Sequence, residues 1–82
     1  MTNQAAPPQK IDTLIRFMKS GQWNKAIKFA ATFPRLGSQR EAILTASSAL
    51  LSPRFYKSIG KNPHELIQFG IAALKQRYIH YL

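Results

Sequence analysis

Apolar residues in this chain recur at intervals of three and four in every segment, and nowhere do they alternate with polar ones. A period of 3.6 lays side chains along one face of a helix, whereas a half-buried strand needs a period of two. The pattern predicts helices packed on helices and no strand. Ile11, Leu14, Ile15 and Met18 form the first stripe, with Asp12, Arg16 and Lys19 off it. Ser20-Gly21 ends that helix, glycine being the usual residue just past a helix C-terminus. Trp23, Ala26, Ile27 and Ala30 repeat the spacing while Lys25 and Lys28 point elsewhere. The second helix stops before Phe33-Pro34, because a residue preceding proline disfavours the helical region. So short a turn sets the two helices antiparallel, as a hairpin.

Beyond the loop Phe33 to Gly37, Ser38 and Glu41 have the spacing of a capping box, which starts a third helix over about Gln39 to Leu51. Ala42, Ile43, Ala46, Ala49 and Leu50 make one face of it and Leu44 and Leu51 another, so it belongs at the centre of the domain. Ser52-Pro53 opens a short helix that Gly60 closes, with Phe55, Tyr56 and Ile59 expected inward and Arg54 and Lys57 outward. Asn62-Pro63-His64-Glu65 caps a long last helix striped by Ile67, Ile71, Leu74, Tyr78 and Tyr81 and widened by Leu66, Phe69 and Ala73. The expected fold is all-α: a compact bundle of four to five helices, with the N-terminal hairpin packed on a central helix and a long C-terminal helix. Residues 1–9 are expected to be a disordered tail and 10–82 a single helical domain.

At 82 residues the chain has length for one hydrophobic core and no second domain. With no cysteine there is neither a disulfide framework nor a thiolate zinc site. No stretch has the apolar length of a signal peptide or a spanning helix, so a cytoplasmic protein is expected. Twelve Lys and Arg against three Asp and Glu give a net charge of +9 and positive potential over most faces.

Enzymatic chemistry finds little to work with. Asp12, Glu41 and Glu65 sit on different helices, the latter two as capping residues, and His64 and His80 are far apart in sequence. No nucleophile stands in a recognisable setting and no three metal ligands converge in the pattern. The expectation is a non-enzyme with no catalytic residue, no metal, no cofactor and no small-molecule substrate.

Two local patterns and the charge suggest binding instead. Gly21, Trp23, Ala26 and Ile27, with Phe17 before them, resemble the turn of a single tetratricopeptide-like helical hairpin over 11–33, which implies a peptide-binding groove. Ala30 departs from that pattern, Pro34 comes too early, and no second copy follows to complete a solenoid. The stretch Ala42 to Lys61 is helix-turn-helix-like, with Ala46 as the small residue, Tyr56 and Ile59 buried, and Arg54, Lys57, Ser58 and Lys61 facing out. Leu50 stands where the turn glycine is usual and Thr45 where an apolar residue is usual. The plainer alternative is a short connecting helix with a solvated basic face. The segments Phe33 to Gly37 and Pro53 to Tyr56, with Gly60 and Pro63, resemble short uncharacterised bacteriophage and prophage helical proteins over about Ile11 to Tyr78. That resemblance implies a phage-type protein acting in a bacterial cytoplasm and carries no established activity.

The leading expectation is a small basic DNA-binding protein, a phage-type regulator or accessory protein. Arg35, Arg40, Arg54, Lys57 and Lys61 would neutralise phosphates, duplex DNA being the foremost partner. The rival is a protein-binding module or inhibitor that covers an acidic surface of a host protein. Membrane-surface binding is not expected, because Trp and Phe fall at core positions and no helix pairs a strong basic face with an apolar one.

Overall fold

The computed structural model describes residues 8–82. Five α-helices follow one another: α1 (Pro8–Lys19), α2 (Trp23–Ala30), α3 (Arg40–Leu51), α4 (Pro53–Ser58) and α5 (Pro63–Arg77). Single 3-10 turns precede α3 at Gly37–Gln39 and follow α5 at Ile79–Tyr81. No strand occurs among the described residues, and the fold is the all-α bundle that the periodicity implies. The helix of α1 reaches back to Pro8, two residues into the segment expected as tail. A proline is tolerated in a first helical turn, where its missing N–H would have no partner. The tail expectation for 1–7 lies outside the described residues. No helix of the described chain is long and apolar enough to cross a membrane.

Glycine ends two of the helices by the same device. Gly60 takes φ +81°, its N–H donates to the Lys57 carbonyl at 3.1 Å and the Lys61 N–H to the Tyr56 carbonyl at 2.8 Å. This is the Schellman pair of bonds, and Gly21 repeats it with Met18 and Phe17. Asn62 caps α5 as expected: its side-chain oxygen accepts from the His64 N–H at 2.9 Å and the Glu65 N–H at 3.4 Å. The capping box at Ser38 does not form. Ser38 lies inside the 3-10 turn, Gln39 stands at the N-cap, and neither side chain caps α3. The extra turn after Leu36 places Ser38 one residue too early to reach the helix. Ser52 also makes no side-chain cap bond, leaving Pro53 at the first position as the feature that starts α4.

The core runs through all the long helices. Leu14, Ile27, Leu36, Ile43 and Leu74 are its largest fully buried side chains, and no polar or charged residue is buried among the described residues. α3 sits at the centre, touching α2, α4 and α5, and Ile43, Ala46 and Ala49 on it are fully buried. It runs antiparallel to α5, since Leu50 shares a groove with Ile67 near one end and Gly37, just before α3, lies against Arg77 at the other. Midway, Gly70 faces Ala46, and a Cβ placed at 70 would overlap the Ala46 methyl. Two small residues therefore set how closely these helices approach. On the hairpin, Phe17, Phe29 and Phe33 pack edge to face, with centroids 5.9 and 5.3 Å apart, a favoured arrangement for aromatic pairs.

Candidate nucleic-acid interface

The five cations expected to contact phosphate do not form one patch. Arg35 lies in the loop before the 3-10 turn, and Arg40 is the first residue of α3. Arg54 and Lys57 are on α4, and Lys61 follows it, beyond the other end of α3. The twelve residues of α3 separate the two sets, a rise of about 17 Å at 1.5 Å per residue.

The first set gains a member that the sequence reading missed. Arg77, in the last turn of α5, donates from Nη2 to the Arg35 carbonyl at 3.3 Å and lies over Gly37. Its place at a helix C-terminus suits its charge, because the carbonyl end of the helix is partly negative. Nothing in the sequence ties it to a loop forty-two residues away. Next to it, burial raises the Tyr78 phenol above its ordinary pKa, while a hydrogen bond to Arg77 and the Arg77 charge pull it back in part.

The second set is ordered by α4 itself. Arg54 and Lys57, three residues apart, lie about 60° apart around α4, and Lys61 follows the reversal at Gly60, where its N–H donates to the Tyr56 carbonyl. All three are exposed, as is Arg40. Among the described residues, no ion pair or hydrogen bond engages the side chains of Arg40, Arg54, Lys57 or Lys61. From Ala42 to His64 the chain has no acid.

Beside these cations lies an apolar surface that was expected inside. Phe55 and Ile59 are 56% and 51% exposed, and Leu51, at the end of α3, is 69% exposed. Only Tyr56 turns inward, and it is half-buried. The reason is geometric: neighbours on a helix are 100° apart, so a helix of one and a half turns cannot bury Phe55 and Tyr56 against the same wall. The helix-turn-helix expectation that Ile59 is buried is corrected as well: α4 ends at Ser58, and Ile59, at its C-cap, is left in solvent. Two positions of α5 are corrected likewise. Phe69 is exposed at the edge of a groove with Ser38, Thr45 and Leu66, and Tyr81 falls in the final 3-10 turn, half in solvent.

Trp23 is the other aromatic whose setting differs from expectation. It packs against the core but is only half-buried, and it walls an open groove of about 560 Å³ with Leu50, Ile67 and Ile71. Lys75 places its Nζ 5.2 Å from the centre of the indole ring, within cation–π range. The far side of this groove is α3 and α5, so the hairpin does not stack on a second hairpin as a tetratricopeptide array would.

Among the described residues no three His or carboxylate groups come together as a metal site would need. The chain matches no protein-family model, no curated protein and no solved structure. The reading of the site rests on its residues alone.

Proposed function

We propose that this chain is a small, basic, non-enzymatic DNA-binding protein that acts through phosphate contacts. The observation that carries the reading is that Arg54 and Lys57 on α4 and Lys61 just after it all stand exposed, within a stretch that holds no acid. Surfaces kept for solubility alone usually mix charges of both signs. An unbalanced row of cations beside the backbone of a polyanion gains by releasing condensed counterions, each phosphate contact steepening the dependence on salt. Arg35 and Arg40, with Arg77, form a second basic area at the far end of α3, available to a different stretch of the same backbone.

The test is the salt dependence of binding to duplex DNA. Replacing Arg54 and Lys57 together by Ala should weaken binding and lower the slope of log K against log salt by about 2 units, at roughly 0.9 per contact. Lys25→Ala with Lys28→Ala, on the hairpin, removes the same charge elsewhere. Equal losses from the two double variants would remove the localised site. Absence of binding to any DNA at low salt would favour the rival reading, a module covering an acidic protein surface, for which the exposed Leu51 and Phe55 beside the cations also speak.

A further inference from the structure

We infer that α4 recognises an unpaired base of DNA, with Phe55 as the stacking platform and Arg54 and Lys57 next to it on the helix, and Lys61 just after it, holding the neighbouring phosphates. The inference rests on the DNA-binding reading and adds to it the form of DNA bound. Phosphate contact alone gives no use for an exposed apolar ring beside Arg54 on the same short helix. Phe55 directly follows Arg54, precedes Lys57 by two residues, and is more than half exposed. Its position is braced from below: the half-buried Tyr56 ring meets it nearly at right angles, 81° with centroids 5.2 Å apart. Backbone contacts fix the same turn, the Ser58 hydroxyl and the Ile59 N–H both donating to the Phe55 carbonyl, at 2.6 and 3.3 Å. What a nucleic acid offers such a ring is the flat face of a base, and aromatic platforms combined with cations that track the backbone are how single strands are held without regard to sequence.

Magnitudes decide between open and closed DNA. Inserting an apolar wedge between stacked pairs costs a few kcal/mol of unstacking, against only three cations on this small surface. An unpaired base makes the same contact without that cost. A second copy of the chain is a poor occupant, because pairing α4 with α4 would set two rows of cations against each other on molecules that each carry +9.

The experiment measures binding of the full chain to an intact duplex and to the same duplex with a short single-stranded gap. Wild type should bind the gapped form at least about 10-fold more tightly, the unstacking cost being absent there. Phe55→Ala should weaken binding to the gapped form by about 5- to 150-fold, the worth of stacking one base, and leave the salt slope unchanged because no phosphate contact is lost. Phe55→Trp should bind at least as well as wild type. Phe55→Leu should bind as poorly as Ala; if it binds as wild type, the ridge is a plain hydrophobic contact and stacking is wrong. Equal affinity for gapped and intact duplex, or an unaffected Phe55→Ala, overturns this inference while DNA binding stands. No binding to either form overturns the DNA reading and this inference with it. Phe55 is exposed, so circular dichroism of each variant should match wild type.

Discussion

The Gly70–Ala46 crossing makes the sharpest demand on this fold, and Gly70→Ala tests it. On an unhindered helix that change stabilises by about 0.5–1 kcal/mol, because glycine loses more backbone freedom on folding. Here the new methyl would overlap the Ala46 Cβ and sit 3.4 Å from the Ala42 carbonyl oxygen and 3.6 Å from the Ile27 Cδ1. Ala46 has no rotamer with which to step aside, and the other two neighbours are a helix backbone and a fully buried side chain. α3 and α5 must move apart, and overpacking of this kind costs about 1–3 kcal/mol. The net expectation is a loss of about 1–2 kcal/mol. A domain of this size holds roughly 4–12 kcal/mol in all, and the midpoint should fall by about 4–8 °C for each kcal/mol lost. The assay is thermal and urea unfolding of Gly70→Ala, Ala46→Gly and the double variant. The double variant moves the methyl from one helix to the other, so it should be more stable than the sum of the singles by about 1–2 kcal/mol. Ala72→Gly, at an exposed position of α5, calibrates the propensity term at about 1 kcal/mol. A Gly70→Ala protein that melts above wild type would refute the tight crossing.

Three further outcomes follow from named contacts. Asn62→Ala should cost about 1 kcal/mol, the worth of an N-cap, while Ser38→Ala and Ser52→Ala should be close to neutral because neither side chain caps a helix; equal losses in urea unfolding would contradict the cap assignments. Tyr78 binds its proton more tightly folded than unfolded, so stability is fully present below the unfolded pKa of about 10. It should fall as pH rises from there through the higher folded value; Tyr78→Phe should flatten that decline, and an unchanged alkaline slope would show that burial does not govern the phenol. Lys75→Ala should cost about 0.5–1 kcal/mol through the lost cation–π contact and shift the emission of Trp23, the protein's single tryptophan; unchanged fluorescence would show that the ammonium does not rest over the indole.

The helices were legible because their stripes and stops are local. Gly21, Gly60, Pro53 and Asn62 carry their instructions in two or three adjacent residues, and each acts where the pattern placed it. Ser38 misled for a related reason. Ser-x-x-Glu spacing describes a cap only if the backbone is extended at the serine, and the turn begun at Leu36 winds on through Ser38 instead. The pairing of Gly70 with Ala46 was not legible, since spacing along one helix says nothing of which face of another it meets. The sequence marked Ala46 as small and central without revealing that glycine opposite makes the crossing close.

The site was legible in its charges and hidden in its shape. Counting Lys and Arg around α3 found every cation now seen on α4, because a charged side chain reaches solvent wherever the backbone puts it. Phe55 and Ile59 were expected inward by the rule that apolar residues belong to the core, and that rule holds only where a helix has a wall to lie against. A six-residue helix between Pro53 and Gly60 has one inward position, and Tyr56 takes it, with its hydroxyl able to stay near water. The same shortness that exposes Phe55 leaves Arg54 next to it and Lys57 one turn on, with Lys61 just past the end, so apolar and cationic groups crowd one short element.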